Sequence, residues 1–481
     1  MSEVTFHTRS SYRDASIAVV GMGVTGRSCA RFLLSLGANV HAFDKHPIDA
    51  NMLKAQLNMA PSSAPDTGFL GTYLLDEHSR LEEYDYVVLS PGVNPNHPAI
   101  APIRYCANVL SDLDIFAQYN RVPCIGVTGS NGKSTVVDML DKTLSAAGHK
   151  VLVGGNFGTG ALDLLGQQAD YIVLELSSFQ LEITQALPLK VGCILNITED
   201  HIDRHQSFAN YTKAKQRIFA HSAKLVVNSG DAHTIPHDEL SKVTCSVALN
   251  ECELPHSLCA NISAYRQDSQ GIKRNDELLL ASDELPLALE HLMMNMQFVL
   301  AIHECLALPL QPAVQSLIRY KGLAHRFEWI GNWRNIVAIN DSKATNTGAC
   351  IAALNCARRL NWRTILIAGG DAKGSDLSVL EPLMRQSVFA VIVFGKDAAK
   401  FLNLHDDVYQ VASIEQAVAL AFKLAFELEP NLGANDQQAS AQAPALQTAI
   451  LLSPACASID MFANYQERGE RFKQAVMRAA A

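Results

Sequence analysis

A glycine-rich turn that leads into a lysine and two hydroxyl residues is the first part of the sequence that could perform chemistry. The turn follows the short apolar run 124–127 and consists of Gly129, Ser130, Asn131, Gly132, Lys133, Ser134 and Thr135. In a phosphate-binding loop, backbone N–H groups surround the phosphate oxygens, the lysine neutralises charge and the hydroxyl oxygen reaches Mg²⁺. The strict pattern has a further glycine at the position of Val127, so this loop is a variant.

Two polar clusters follow apolar strands in the same part of the chain. Glu175 comes directly after the apolar run 171–174, where a carboxylate could bind Mg²⁺ or could simply end a solvated strand. His201 is preceded by Asp200 and followed by Asp203 and His205. A single histidine is more often structural than functional, but the crowding of charged groups here favours a functional cluster.

Lys215 is predicted to lie on the buried face of a helix that Ser207 caps. The apolar residues at −7, −4, +3 and +4 from it are Phe208, Tyr211, Ile218 and Phe219. Lys213 and Arg217 lie on another face, and snorkelling of Lys215 to solvent is the alternative. Burial lowers the pKa of a lysine, and a neutral amine can react with carbon dioxide to form a carbamate, an anionic oxygen ligand for Mg²⁺.

A second glycine turn, GMGVTG at residues 21–26, lies near the start of the sequence. It joins the apolar run 17–20 to an apolar-periodic helix, and Asp44 closes the following strand, 18 residues after the last glycine. The turn alone is weak evidence, but the acid favours binding of a nucleotide or diphosphate. The alternatives are a turn that needs glycine only for its shape and, for this part of the chain alone, an NAD-dependent dehydrogenase.

Short apolar strands, each followed by a helical pattern, must position these residues. The predicted strands are 17–20, 39–43, 86–89, 124–127, 171–174, 191–197, 336–340, 364–368, 390–394 and 449–452. This alternation predicts an α/β protein with parallel sheets throughout. Residues 429–447 are predicted to form a mobile surface loop, and residues 251–286 are polar with no clear period.

Composition limits the classes of function. The chain has 481 residues, 48% hydrophobic and 18% charged, enough for packed cores in about three domains. Its net charge of −9 disfavours nucleic acid as a partner. No window approaches the roughly 20 apolar residues that span a bilayer, and the N-terminal residues lack the apolar segment of a signal peptide. The 11 scattered cysteines include no CxxC pair, so we expect a cytoplasmic protein with free thiols and no membrane insertion.

Together these segments resemble the Mur ligase family, ATP-dependent ligases that build the peptide stem of peptidoglycan. The resemblance covers almost the whole chain, through GMGVTGRS, SPGV, GVTGSNGKST, GGNFG, ELSSFQLE, NITEDHIDRH, YTKAKQRI, GLAHRFEWI, INDSKATN, AGGDAKGSDL, VFGKDAAKF and LLSPACASIDMFANYQERGERF. DSKATN together with SPACASIDMF is typical of members that add D-glutamate to UDP-N-acetylmuramoyl-L-alanine through an acyl phosphate. That reaction is therefore expected, and a folylpolyglutamate synthase-like ligase or a nucleotide-sensing protein without catalysis are the alternatives.

The resemblance implies three α/β domains, each with a largely parallel sheet. They are a Rossmann-like domain for the UDP-substrate at 1–112, a P-loop ATPase domain at 113–323 and a dinucleotide-fold-like, amino-acid-binding domain at 324–481. We expect a monomer whose partners are small-molecule substrates. Where the family usually has Gly-x-His-Asn, this chain has Leu289, Glu290, His291 and Leu292, which weakens the expected adenine contacts.

The resemblance also implies roles for individual positions. Lys133 would contact ATP, Ser134 and Glu175 would bind one Mg²⁺, and His201 and carbamylated Lys215 would bind a second Mg²⁺ with Glu175 shared. Further ATP contacts are expected at Asn295, Arg326 and Asp341. The UDP-substrate is expected at Val24, Thr25, Asp44, Lys45, Ser90, Gly92, Asn156 and Gln180. D-Glutamate is expected at Lys343, Thr345, Lys373, Ser458 and Tyr465, beside Asp200. Either Asp200 or His201 could deprotonate its amine, although metal ligation of His201 argues against that residue as the base.

Overall fold

The structure is a computed structural model, and it describes residues 12–57, 68–156, 158–249, 262–285, 290–428 and 447–480. The described chain contains three β-sheets in an α/β arrangement. The first two sheets belong to one compact unit and the third sheet belongs to another. The expectation of three sheet-containing regions is confirmed, whereas the boundaries after residues 112 and 323 stay predictions. The loop predicted at 429–447 lies, except for residue 447, outside the described residues.

The first sheet is parallel, with the order β3-β2-β1-β4-β5. Its elements are β1 Ser16–Val20, α1 Val24–Ser35, β2 Asn39–Asp44, α2 Ala50–Gln56, β3 Phe69–Leu74, β4 Tyr86–Leu89, β5 Val109–Ser111 and α3 Asp112–Tyr119. The strand order reverses between β1 and β4. In open α/β sheets, ligands bind at the carboxyl ends of the strands beside such a reversal. The glycine turn after β1 and the segment that starts at Ser90 after β4 both lie there.

The second sheet has nine strands in the order β14-β13-β12-β11-β10-β9-β6-β8-β7. The elements up to α7 are β6 Cys124–Thr128, α4 Lys133–Ala146, β7 Val151–Gly155, β8 Tyr171–Glu175, α5 Ser178–Ile183, β9 Leu189–Ile194, α6 Ile202–His205 and α7 Phe208–His221. The remaining elements are β10 Ser222–Asn228, β11 Val243–Ala248, β12 Ser263–Gln267, β13 Gly271–Arg274, β14 Glu277–Ala281, α8 Glu290–Cys305 and α9 Leu310–Ile318.

The prediction of parallel sheets throughout is wrong at one edge of the second sheet. β12, β13 and β14 pair antiparallel, and they occupy part of the segment that showed no sequence period. Each has only four or five residues, too few for the alternation of a half-buried strand to stand out. Tyr265, Ile272 and Leu280 supply one fully buried side chain to each of these strands.

The third sheet has the order β15-β16-β20-β17-β18-β19. Its elements are β15 Glu328–Trp333, β16 Ile336–Asn340, α10 Thr347–Arg359, β17 Arg363–Gly369, α11 Glu381–Ser387, β18 Val388–Phe394, β19 Val408–Gln410, α12 Ile414–Glu427, β20 Thr448–Leu452 and α13 Tyr465–Ala479. Only β15 runs antiparallel to its neighbour among the described strands of this sheet, so the prediction of parallel sheets throughout is wrong at this edge too. The carboxyl ends of β16, β20 and β17 therefore lie side by side at one edge.

The central strands are buried along their whole length, as in β6 and β16, because helices cover both faces of a parallel sheet. Cysteines in the described ranges are free thiols, and only Cys106 among them is exposed. Of the helices that the structure describes, none combines the length and the apolar character that crossing a membrane requires.

Candidate active site

The phosphate loop joins β6 to α4 at the carboxyl edge of the second sheet. Gly132 precedes the helix with φ of +87°, a left-handed conformation that favours glycine. Within the described chain no side chain caps the start of α4, where N–H groups and the helix dipole favour an anion. The Lys133 ammonium donates to the carbonyl oxygens of Gly129 at 2.7 Å and Ser130 at 3.0 Å, so it lies over the loop.

Hydrogen bonds attach the loop to the segment that carries His201. The Ser130 hydroxyl donates to the carbonyl oxygen of Thr198 at 2.9 Å and accepts from the Tyr211 hydroxyl at 2.9 Å. The backbone N–H of Asn131 donates to Oδ1 of Asn196 at 2.9 Å. The loop and the residues after β9 therefore hold each other in place.

Glu175 is the last residue of β8, lies beside Val127 of β6 and is 3% exposed. Its Oε2 accepts a hydrogen bond from the Ser134 hydroxyl at 2.5 Å, and its Oε1 accepts from Nδ2 of Asn156 at 2.9 Å. Ser134 and Glu175 thus present neighbouring oxygen atoms at the end of the phosphate loop. This donor chemistry fits Mg²⁺, which prefers carboxylate and hydroxyl oxygens.

Lys215 lies on the buried face of α7, as predicted, and the snorkelling alternative is wrong. The Ser207 hydroxyl caps the helix by accepting from the N–H of Asn210, and Lys215 is only 2% exposed. Its amine donates to the Gly129 carbonyl oxygen at 2.8 Å and lies 3.4 Å from Oγ1 of Thr128. No carboxylate of the described residues forms an ion pair with it. Burial, followed by the charge of Lys133, lowers the pKa of Lys215 well below its usual value.

The two neighbouring histidines have different environments. His201 has φ of +53°, its Nε2 lies 3.7 Å from Oδ2 of Asp200, and its ring packs edge-on against Phe179. His205 is buried and its Nε2 lies 3.0 Å from the Ser178 hydroxyl oxygen. Burial, helped by nearby positive charge, lowers the pKa of His205 to about 4. The buried, hydrogen-bonded surroundings of His205 are those of a structural residue, whereas His201 lines a cavity.

That cavity, of about 210 Å³, collects the residues expected to handle phosphate and metal. It is lined by Lys133, Asn156, Ser177, Ser178, Phe179, Asp200, His201, Tyr211 and Lys215. Ser177, Ser178, Phe179 and Tyr211 were not predicted as site residues, although the first three begin two residues after Glu175 in ELSSFQLE. In the described ranges no group of three or more His, Cys, Asp or Glu is arranged to hold a metal ion. The four expected metal ligands include only two residues of these four types, Glu175 and His201. The other two expected ligands are Ser134 and Lys215.

Two other expected residues of this unit, and the Leu292 that replaces the family's usual Asn, have specific neighbours. Asn295 adjoins the phosphate loop, because a Cβ at Gly132 would lie 2.7 Å from its Oδ1. Leu292 packs against the apolar core of the second sheet. Gln180 does not line the cavity, since its Oε1 accepts from the backbone N–H of Ser177 and caps α5.

The residues expected at the UDP end adjoin the glycine turn of the first sheet. Asp44 Oδ2 accepts from the Met22 N–H at 2.7 Å, and the Ser90 hydroxyl donates to the Gly21 carbonyl oxygen at 2.6 Å. Around this turn, Val24 and Thr25 open α1, Lys45 is exposed and Gly92 follows Ser90. Arg204 of α6, which was not predicted, donates to Asn94 Oδ1 at 2.9 Å and to the Val93 carbonyl oxygen at 2.7 Å. It links the loop after β4 to the helix that His201 starts.

Arg326, Asp341 and the expected D-glutamate residues belong to the second compact unit. Asp341 accepts from the Phe327 N–H and the Ser453 hydroxyl, both at 3.1 Å, and burial raises its pKa to about 7. The Lys343 ammonium lies 4.3 Å from the centroid of the Tyr465 ring.

The remaining D-glutamate residues lie on neighbouring loops of this unit. Thr345 follows Lys343 by two positions, and its N–H donates to the carbonyl oxygen of Lys343. The loops of Lys373 and Ser458 are joined by backbone hydrogen bonds between Asp371 and Ala457 at 2.8 and 3.0 Å.

Three family models match the chain in order. They describe a Mur ligase MurD-like N-terminal domain at residues 15–107, a Mur ligase middle domain at 127–302 and a Mur ligase glutamate ligase domain at 325–430. The UDP-N-acetylmuramoylalanine--D-glutamate ligase of Saccharophagus degradans is 37% identical over 478 residues, covering 97% of this chain and 98% of that protein. The enzyme of the same name from Nitrosococcus oceani is 36% identical, covering 96% of each.

Two solved structures support the fold. One is the UDP-N-acetylmuramoylalanyl-D-glutamyl-2,6-diaminopimelate--D-alanyl-D-alanyl ligase of Acinetobacter baumannii, with a TM-score of 0.56, 16% identity and coverage of 92% of this chain and 90% of that one. The other is the UDP-N-acetylmuramate-alanine ligase of Thermotoga maritima, with a TM-score of 0.54, 17% identity and coverage of 97% of this chain and 100% of that one.

Fold and site define an ATP-dependent amide ligase. The chain belongs to the Mur ligase family, and these matches do not support the dehydrogenase or sensor alternatives.

Proposed function

We propose that this protein is an ATP-dependent ligase that adds D-glutamate to UDP-N-acetylmuramoyl-L-alanine. The single observation that carries the proposal is the cavity where Lys133, Asp200, His201 and Lys215 meet. It combines a phosphate loop, metal-binding groups and a buried amine that forms no ion pair with a carboxylate of the described residues. The substrate assignment is supported by the relatives, which are named for this reaction over nearly their full length. The product would enter cell-wall synthesis, on which cell shape and division depend.

The phosphate loop would bind the ATP phosphates. The Lys133 ammonium donates to carbonyl oxygens of the loop, and in the ATP complex it would contact the β- and γ-phosphates. Two Mg²⁺ ions would neutralise charge on the transferred phosphoryl group. Ser134 and Glu175 would hold one ion, and His201 and Lys215 would hold the second with Glu175 shared. Asn295, Arg326 and Asp341 would complete the nucleotide site.

Lys215 can serve a metal only after its charge is reversed. A cationic ammonium beside two cations would be repelled, whereas its buried position favours the neutral amine. Reaction of that amine with carbon dioxide forms an N–C bond, releases a proton and leaves a carbamate anion. The charge of the side chain changes from +1 to −1, which suits a hard cation.

Activation of the substrate would precede amide formation. The γ-phosphoryl group passes to the alanyl carboxylate, ADP leaves, and the amine of D-glutamate attacks the acyl carbon and expels phosphate. The amine must lose a proton, and Asp200 is the better base because His201 is assigned to the metal. Lys343, Thr345, Lys373, Ser458 and Tyr465 would hold D-glutamate. The UDP end would bind at Val24, Thr25, Asp44, Lys45, Ser90 and Gly92, with Asn156 and Gln180 nearer the peptide.

The test is phosphate release from ATP in the presence of UDP-N-acetylmuramoyl-L-alanine, with D-glutamate, L-glutamate or a diamino acid added in turn. We expect release that depends on D-glutamate, and a product whose mass equals both substrates minus water. Preference for another amino acid would contradict the substrate assignment and leave the ligase assignment standing. Release that needs no amino acid would contradict both. Elution of the active protein at the mass of one chain would support a monomer.

A further inference from the structure

Arg468 of α13 is a completely buried arginine that makes no ion pair with any described carboxylate. Its Nε donates to the Ser342 hydroxyl oxygen at 3.0 Å and its Nη2 to the Ser342 carbonyl oxygen at 2.8 Å. Its Nη1 donates to the carbonyl oxygens of Cys456 at 3.1 Å and Gly369 at 3.4 Å. Burial lowers its pKa to about 10, so the guanidinium stays charged at neutral pH. The nearby carboxylates of Asp460 and Asp341 only partly offset this burial, and a buried charge without an ion pair is costly, so it calls for a specific role.

The acceptors of Arg468 belong to three loops at the carboxyl edge of the third sheet. Ser342 directly precedes Lys343 in the loop after β16, and Gly369 ends β17 four residues before Lys373. Cys456 lies in the loop after β20, two residues before Ser458. The Ser342 hydroxyl also donates to the Tyr465 carbonyl oxygen at 2.8 Å, which joins the start of α13 to the same network.

We propose that Arg468 is the positioning residue of the amino-acid subsite. It holds the loops after β16, β17 and β20 in one fixed arrangement and adds a buried positive charge beneath them. The planar guanidinium suits this task because its N–H groups point in fixed directions, which an ammonium cannot reproduce. In a poorly hydrated environment this charge attracts the two carboxylates of an acidic amino acid more strongly than it would in water. The inference rests on the proposed function, because it concerns the site assigned to D-glutamate.

The test compares Arg468→Lys, Arg468→Met and Ser342→Ala with the unaltered protein. We expect the KM for D-glutamate to rise about tenfold in Arg468→Lys, which keeps the charge, and further in Arg468→Met, which loses it. Ser342→Ala removes one acceptor and should cause a smaller rise. The KM for the UDP-substrate should change less than about twofold, since its expected contacts lie around the first glycine turn and at Asn156 and Gln180. The KM for ATP should rise less than the KM for D-glutamate, because Asp341 directly precedes Ser342. Arg471→Met is the matched control, because Arg471 lies on the same helix and pairs with Glu415 at the surface.

A purely structural role would lower the melting temperature and the active fraction without changing the KM for the amino acid. That pattern in Arg468→Lys and Ser342→Ala would overturn the proposal. If the arginine variants fail to fold, Ser342→Ala carries the test alone, and an unchanged KM in it overturns the proposal. If the unaltered protein uses an amino acid other than D-glutamate, the proposed function fails. The same variants then test Arg468 through the KM for that amino acid.

Discussion

The amine of Lys215 donates a 2.8 Å hydrogen bond to the carbonyl oxygen of Gly129, so a buried lysine of α7 is directly joined to the phosphate loop. The carbonyl oxygen of Gly129 also accepts from Lys133 at 2.7 Å. Two lysines of like charge therefore converge on one backbone oxygen, which favours the neutral form of the buried one. This relationship makes Lys215 the residue on which the proposed chemistry can be tested most directly.

Lys215→Ala should lose most ligase activity, and added acetate should restore part of it. The shortened side chain leaves room in the cavity for a free carboxylate, which can replace the carbamate oxygens. Lys215→Arg should be inactive and should not respond to acetate, because the guanidinium fills the space and cannot form a carbamate. Initial rates measured across an acetate series in the three proteins give the comparison.

The modification itself has a separate test. Native mass measurement of protein kept under carbon dioxide should show the added carbamate, and depletion of carbon dioxide should lower the rate reversibly. A plain amine at Lys215 together with full activity in depleted buffer would refute carbamylation. The remainder of the ligase proposal would survive that result.

Lys133→Ala should remove ATP-dependent ligation, because the loss leaves phosphate charge unneutralised in the cavity. The expected decrease in kcat is about 10²-fold or more, as for other groups that stabilise developing charge. Lys142→Ala is a matched control, since Lys142 lies on the same helix but pairs with Asp138 at the surface. Near-normal turnover by Lys133→Ala would contradict the assignment of the loop to ATP.

Much of the central site could be predicted from the sequence because its residues lie on strongly periodic elements. The helix of Lys215 has both a capping serine and an apolar face, and both features reflect local physics. The difference between His201 and His205 could not be predicted, because it depends on the contact of His205 with Ser178 from another element. Arg468 was missed for the same reason. On sequence alone it is a charged residue in a polar helix, and only the fold brings three loops around its guanidinium.

Lys373→Ala should raise the KM for D-glutamate far more than the KM for ATP. A charged side chain that pairs with a substrate carboxylate contributes roughly 1.5–3 kcal/mol, which corresponds to about 10- to 100-fold in KM. Lys423→Ala is the control, because Lys423 is exposed on α12 and only approaches Glu427 at 4.0 Å. Equal effects on both KM values would place Lys373 outside the amino-acid site.

Gly469→Ala should destabilise the second unit although alanine is the better helix former. A Cβ at this position would lie 2.3 Å from Nδ1 of the His325 ring, which is buried and accepts from Nδ2 of Asn340 at 3.0 Å. Alanine gains about 1 kcal/mol of helix propensity, but displacing a buried ring costs about 1–3 kcal/mol. The net effect should be a lower melting temperature by calorimetry. Because Arg326 follows His325, the KM for ATP should rise as well, whereas Met477→Ala on the exposed face of α13 should change neither quantity.

His303 gives a stability test that is independent of the active site. It is fully buried, and its Nε2 lies 2.9 Å from Oγ1 of Thr143. Because the Thr143 hydroxyl donates to the Leu140 carbonyl oxygen, the histidine must donate through Nε2. Nδ1 is then a buried acceptor that finds no hydrogen-bond partner among the described residues. Burial, with a smaller effect of His149, lowers the pKa of His303 to about 4.

The sign of the pH effect follows from this lowered pKa. Between the unfolded value near 6.5 and about 4, the unfolded chain binds a proton at this site and the folded chain does not. The contribution of neutral His303 to the free energy of unfolding is therefore complete above pH 6.5 and is lost as the pH falls. This loss is about 2 kcal/mol between pH 7.5 and 5. His303→Leu removes the titrating group and should flatten the decrease in melting temperature over that range. The unaltered protein and the variant should be compared by calorimetry at matched ionic strength, and parallel pH profiles would show that His303 is not the group responsible.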